Sequence, residues 1–257
     1  MLLQPLQNNS GKSPTSRSGT IPAPVKGWNA KDALADMDEE FAIELENVFP
    51  NMTDVEVRGG YASHSTGNGS GAGSVIYDST AAGGSTAIAT GKSNARWQTT
   101  MFGTGAGNFL FMVNGEDAPI YYNGSSFTTP SLASVTATDI VHVTAHQRRL
   151  FFTFNDSLVF GYLPVVSVAG TVATFDVGGL CKKGGKIQAC GSWTRDGGSG
   201  PDDIFVIITS EGECVLYNGT DPSSATAWSL VGVFSIGKPI GRRCIEKVGA
   251  ELIVITQ

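Results

Sequence analysis

The residue groupings able to do chemistry are few, and each has a plain structural reading beside the chemical one. Gly91-Lys92-Ser93 matches the end of a phosphate-binding loop, in which a glycine-rich turn aims backbone N–H groups at a phosphate. That turn needs a glycine five positions before Gly91, where Thr86 stands. Gly103-Thr-Gly105-Ala-Gly107 lacks the third glycine of a dinucleotide fingerprint, and with no helical pattern after it the segment reads as a strand connection. His142 and His146, in IVHVTAH, fall on one side of a strand about 13 Å apart, too far to share a metal. With no third ligand nearby they are expected to be polar or half-buried histidines. His64 sits in a Gly/Ser stretch and reads as solvated. Asp196, Asp202 and Asp203, in DGGSGPDD, offer oxygens to a hard cation, but the spacing matches neither an EF-hand nor a calcium-binding nonapeptide repeat, so an ordinary acidic loop is expected. No GxSxG nucleophile elbow occurs. The expectation is a chain with no catalytic residues, no cofactor and no metal.

Two arginine pairs are more promising. Arg148-Arg149 and Arg242-Arg243 each precede an apolar strand-like run. One reading is an ion pair with acidic loop residues at a sheet edge. The other is a contact to a second subunit, where the planar, multiply donating guanidinium is favoured. These four are the candidate subunit contacts.

The elements that would carry these side chains are short and β-like. Asp202 to Phe234 holds three apolar runs, Ile204–Thr209, Glu213–Tyr217 and Trp228–Phe234, divided by Ser-Glu-Gly and by a Gly/Asp/Pro/Ser loop. Runs of this length, rich in Ile, Val, Phe and Tyr and bounded by glycine-containing turns, predict hairpin-linked strands. Similar cassettes occur at Asn108–Phe127 and Arg149–Tyr162, and another opens at Glu251. Their leading strands are expected at Phe109, Leu150, Ile204 and Leu252, in steps of 41, 54 and 48 residues. Repeated meanders at roughly 40 to 50 residues predict an all-β, β-propeller-like array of antiparallel meander blades.

Before the cassettes, residues 1–26 are rich in Ser, Pro, Asn and Gly and are expected to form a flexible arm, with a single β domain over 27–257. Leu34, Met37, Phe41, Leu45 and Val48 recur at three- and four-residue spacing. With Asp38, Glu39 and Glu40 as an acidic first turn and Pro50 as a stop, they predict a short helix over 38–47. Val55–Tyr61 alternates as a strand does. Residues 63–74 are a Gly/Ser loop, and short strands follow at Ser74–Tyr77, Thr86–Ala89 and Arg96–Phe102. A hairpin is expected over Val165–Val177, turning at Ala169-Gly170, with Gly-rich connections at 178–185 and 193–200. The strand at Glu251 reaches Gln257 before a propeller would close, so the array is expected to be incomplete. Either a longer natural chain has been cut short, or that strand is expected to pair with Val55–Tyr61 or with a neighbouring subunit, since a bare apolar edge invites aggregation.

Composition narrows the classes of function. The chain has 257 residues, 33 of them glycine, and only 16% are charged, which suits a turn-rich strand scaffold. A net charge of −6 argues against a dedicated nucleic-acid binder, which needs a basic footprint. Cys181, Cys190, Cys214 and Cys244 form no CxxC pair, so reduced, partly buried thiols are expected. No apolar stretch approaches the ~20 residues of a membrane span, and the opening MLLQPLQNNSGKSP carries no signal-peptide core. A soluble protein outside the usual secretory route is expected.

Several segments together resemble a known group. Ile21–Trp28, the Leu-Ala-Asp-Met stretch, Glu46-Asn-Val-Phe-Pro50 and Val55-Glu-Val-Arg-Gly-Gly-Tyr61 resemble the opening of virion structural proteins of tailed bacteriophages. So do Ala95-Arg-Trp97, Gly107-Asn-Phe-Leu110, Val113-Asn-Gly115, His146-Gln-Arg-Arg-Leu150, Ser210-Glu-Gly212, Tyr217-Asn-Gly-Thr-Asp-Pro222 and Ile236-Gly-Lys-Pro-Ile-Gly-Arg-Arg243. The opening is also similar to that of propeller-type tail nozzle or hub proteins of short-tailed phages. The resemblance implies a non-enzymatic tail component, built in the host bacterial cytoplasm and carried in the virion. It implies a ring of identical copies, expected to be a hexamer, that meets portal, adaptor and tail fibre proteins. Genome DNA would pass without specific binding, as an acidic wall repels phosphate. A fibre-attachment or receptor-binding module is the alternative. A carbohydrate-active propeller enzyme is a third class, but the repeated S-x-D-x-G-x-x-W turn of sialidases is absent.

Overall fold

A computed structural model describes residues 22–60, 63, 65–66, 75–79, 83–84, 86–194 and 203–257. The chain is all-β, and it divides into two units, residues 1–63 and 64–257.

In the first unit, β1 (Gly27–Trp28) pairs in parallel with β2 (Phe41–Ala42), and β3 (Val48–Pro50) pairs antiparallel with β4 (Val55–Val57). The helix expected over 38–47 does not form. Asp38 instead folds a local turn: its Oδ1 accepts the Glu40 N–H at 3.0 Å, its carbonyl accepts the Phe41 N–H at 3.0 Å, and its carboxylate pairs with Lys26. An aspartate that satisfies backbone donors this way competes with helix, and a short helix needs a packed apolar face to persist. Here Phe41 and Leu45, the stripe residues within 38–47, are only half-buried, and Leu34 before them is exposed, so the stripe does not anchor a packed helical face. Pro50 is a strand residue rather than a helix stop. Of the proposed arm, residues 1–21 lie outside the described residues, while Lys26 is fixed by Asp38 and Glu40.

The second unit opens with two small pairs. These join β5 (Ser65–Thr66) to β7 (Gly83–Gly84), and β6 (Ile76–Asp78) to β8 (Thr86–Ala89). Most of the Gly/Ser stretch at 63–74, with His64, lies outside the described residues. Three four-stranded antiparallel meanders follow. The first is β9 (Gln98–Thr104), β10 (Gly107–Val113), β11 (Ile120–Tyr122) and β12 (Phe127–Thr128). A short strand, β13 (Leu132–Ala133), leads to the second sheet, whose strands are β14 (Ile140–His146), β15 (Arg149–Phe154), β16 (Val159–Tyr162) and, after β17 (Gly170–Thr171), β18 (Ala173–Asp176). The third holds β19 (Ile187–Thr194), β20 (Asp203–Thr209), β21 (Glu213–Gly219) and β22 (Trp228–Ser235). A hairpin of β23 (Ile245–Val248) and β24 (Glu251–Val254) ends the series.

Turn chemistry sets these registers. Asn114 and Asn123 each accept two downstream backbone N–H groups through Oδ1, closing the turns after β10 and β11. The β14–β15 turn has Gln147 at φ 45° and Arg148 at φ 61°, the two left-handed residues of a type I′ turn, where Asn-Gly is the usual choice. Gly212, at φ 79°, closes β20 onto β21, and a Cβ there would lie 2.6 Å from the Ile236 carbonyl oxygen.

The sheets stack face to face, and strand alternation shows how. On β15, Phe151 points into a core shared with Phe205, Ile207, Tyr217 and Trp228 of the third sheet. Its neighbours Leu150 and Phe152 point the other way, into a core with Phe102, Phe111 and Val113 of the first. On β20, Phe205 and Ile207 face the second sheet, while Ile204, Val206 and Ile208 face Ile245, Leu252 and Val254 of the final hairpin. Strands buried on both faces read as continuous apolar runs, which is why RLFFTF and DIFVIIT stand out.

Three expectations are corrected. Each sheet begins one strand earlier than the cassettes imply, at Gln98, Ile140, Ile187 and Ile245. The Val165–Val177 hairpin does not form: β17 pairs in parallel with β13, while β18 joins β16, where Phe175 stacks on Phe160 at 5.2 Å. The strand at Glu251 pairs with β23 across the two-residue Gly249-Ala250 turn, and Val55–Val57 pairs with β3. In these last two pairs the local hairpin wins because closing a short loop costs least entropy.

Candidate functional site

The opening strands β9, β14, β19 and β23 neighbour one another in that order, and together they bound a cavity of about 810 Å³. Their sequences differ from the strands behind them because one end of each faces this space. Gln98, Thr99 and Thr100 come from β9, Thr144 from β14, Ser192 from β19, and Glu246 and Lys247 from β23. Gly191 lets the strands close up, since a Cβ there would meet Leu252 at 3.0 Å. Arg242 and Arg243 stand at the approach to β23 and also line the cavity.

Both strand histidines are buried and reach from the second sheet to the third. His142 Nε2 donates to the Cys190 carbonyl at 2.8 Å, so its Nδ1 carries a lone pair, which has no partner among the described residues. His146 Nε2 donates to the Gly219 carbonyl at 3.3 Å, leaving Nδ1 to accept from the Ser192 hydroxyl at 2.9 Å. Burial holds the His142 pKa below its ordinary value and brings that of His146 down to about 4, so both rings are neutral at pH 7. The expectation of half-buried polar rings understates their burial: they are neutral struts, His146 packing on Phe205 at 5.2 Å. Among the described residues no group of three His, Cys, Asp or Glu side chains could hold a metal ion. Cys190 also lines the cavity, but burial pushes its thiol far up, away from the thiolate that a nucleophile requires.

The four candidate arginines part company. Arg149, with a side chain only 12% exposed, pairs with Asp221 at 2.9 Å and donates to the carbonyls of Leu163 and Thr220. Its guanidinium also sits over the Tyr162 ring. It is an internal clamp between the second and third sheets. Arg148 is exposed at the tip of the β14–β15 turn. Arg243 donates to the Trp97 carbonyl at 2.7 Å. Arg242 is half-buried, and among the described residues it has no hydrogen bond or ion pair.

The other sequence candidates serve the scaffold. Ser93 of the Gly-Lys-Ser stretch donates its N–H and hydroxyl to Asp117, and Lys92 lies over the Trp97 ring. Gly105-Ala106 is the turn joining β9 to β10, the strand connection expected there. Asp203 starts β20, while Asp196 and Asp202 lie outside the described residues. The cavity itself was not foreseen. Its signal was there in Thr, Gln, Ser, Glu and Lys interrupting the first strand of each sheet. The chain matches no protein-family model, and no curated protein is significantly similar to it in sequence.

Proposed function

We propose that this chain is a structural protein that assembles with further copies of itself as a propeller-like building block, in a bacteriophage tail nozzle or hub. The phage setting rests on the resemblance of its opening and hairpin motifs to virion proteins. The propeller-like reading is supported by consecutive meanders stacked face to face with their opening strands side by side. The reading assigns the chain no catalysis and takes its acidity as suited to a conduit that lets DNA slide.

Self-assembly rests on one observation. The first and second sheets are each covered by the next four-stranded sheet, while the two-stranded β23–β24 hairpin packs on part of the outer face of the third. The outer part of that face keeps Val231 48% and Phe234 51% exposed, beside an apolar groove of about 500 Å³ shared with Trp193, Ile236 and Val254. Among the described residues, no strand pairs with the outer edge of β24. A bare apolar face next to an open edge is what a second chain covers by adding strands.

Negative-stain imaging of the purified full chain tests this reading. Closed rings of uniform size support it, and single particles of one chain at every concentration overturn it. Mass spectrometry of purified phage particles tests the setting: the chain is expected as a stoichiometric virion component, and its absence from particles refutes the tail assignment.

A further inference from the structure

We propose that the cavity between the opening strands is a binding site for a phosphate group, carried free or on a small hydroxyl-rich molecule such as a sugar phosphate. Charge is the first indication. The chain as a whole is acidic, at −6, yet cations gather at this space. Arg242, Arg243 and Lys247 line the main cavity with Glu246. A second hollow of about 490 Å³ shares Gln98, Arg242 and Arg243 with it and adds Arg96. Four cations therefore face one carboxylate from the lining, and Arg96 has its own partner in Glu116 at 3.3 Å.

These cations are poorly matched from within. Among the described residues, no carboxylate pairs with Arg242, Arg243 or Lys247, whose named contacts are the Trp97 carbonyl for Arg243 and the Thr194 hydroxyl, at 3.3 Å, for Lys247. Arg243 and Lys247 are exposed, but the half-buried Arg242 guanidinium gives up part of its hydration, and without a counter-charge that loss is uncompensated. An oxyanion restores it. The planar fork of arginine fits two phosphate oxygens at once, which a point charge cannot do.

The remainder of the lining suits what the phosphate is attached to. Gln98, Thr99, Thr100, Thr144 and Ser192 present an amide and hydroxyls. The space is several times that of a phosphate ion, so a body of sugar size has room and hydrogen-bond partners. Sites of this kind join a concave volume to a few converging polar groups.

Isothermal titration of the full-length chain at low salt, with inorganic phosphate, ribose 5-phosphate and ribose in separate runs, tests the proposal. One saturable site per chain is expected for both phosphate-bearing probes, with ribose and added chloride failing to compete. Tighter binding of ribose 5-phosphate assigns a sugar phosphate, and equal binding assigns the free ion; either outcome supports the site. Arg242→Gln is expected to weaken binding about tenfold, as loss of one charge-assisted contact does. Glu246→Gln is expected to tighten it about threefold by removing the opposing charge. Should Arg242→Gln unfold the chain, Lys247→Gln and Glu246→Gln carry the same comparison. No saturable binding by roughly 20 mM phosphate, a range that still detects millimolar sites, overturns the proposal. So does binding that none of these substitutions alters.

Discussion

His146 Nδ1 lies 2.9 Å from the Ser192 hydroxyl, joining the last residue of β14 to the strand that opens the next sheet. Arg149, three residues further along the chain, reaches past the same turn to Asp221. With the His142 bond to the Cys190 carbonyl, these polar links fasten the second sheet to the third beside a core rich in aromatic rings.

The histidine link makes stability depend on pH. The His146 pKa is brought from 6.5 to about 4 by burial, against the hydrogen bond to the Gly219 carbonyl and the Asp203 charge, which raise it, and with Lys247, which lowers it further. In the unfolded chain the ring protonates near 6.5, while in the folded chain it resists until about 4, so between these values the unfolded state holds more protons. Stability is then full above pH 6.5 and falls as pH drops through the window to about 4, by about 3 kcal/mol for this residue. Urea titrations at pH 7 and pH 4.5 should show the loss, and His146→Gln should reduce its slope with pH. An equal slope in that variant would remove His146 as the cause.

The two adjacent arginines should separate by function. Arg149→Ala removes the guanidinium from two carbonyls and from Asp221, which keeps its Ser223 donors, and is expected to destabilise the folded chain by about 1–2 kcal/mol, the partly exposed carboxylate tempering the loss. Arg148→Ala touches nothing inside the unit and is expected to change stability by less than about 0.5 kcal/mol. If Arg148 meets a second copy, that variant lowers self-association at unchanged stability. Thermal denaturation and size-exclusion chromatography of both variants make the comparison.

Gly212 is a position where a side chain is refused. Its φ is 79°, and a Cβ added there would come within 2.6 Å of the Ile236 carbonyl oxygen, so backbone strain and a clash against backbone act together. Gly212→Ala is expected to cost more than about 2 kcal/mol, read as a lower urea midpoint. A neutral result would mean that the β20–β21 turn relaxes at little cost.

The strands behind the opening ones were legible because their residues are buried on both faces, and RLFFTF and DIFVIIT carry that burial openly. The opening strands were harder to read. Gln98, Thr99, Ser192 and Lys247 face a cavity, so apolar alternation breaks where each sheet starts and the cassettes begin a strand late. The helix at 38–47 failed for the opposite reason. Its 3.6-residue spacing was present, but Phe41 and Leu45 are only half-buried, and Asp38 turns the chain locally instead. Arg149 and Arg148 look alike as letters; only the distant Asp221 distinguishes a clamp from a free side chain. Arg242 and Arg243 read as a pair, yet their shared cavity is assembled from strands far apart in the chain.

The self-assembly reading is tested most directly by sedimentation velocity of the wild-type chain beside a Val231→Lys, Phe234→Lys double variant over a range of concentrations. Both side chains are exposed, so the variant is expected to keep its circular dichroism spectrum and thermal midpoint. Assembly through this face predicts that wild type sediments faster as concentration rises while the double variant stays a single chain. A wild type that remains a single chain throughout, or a variant that assembles as the wild type does, would contradict it.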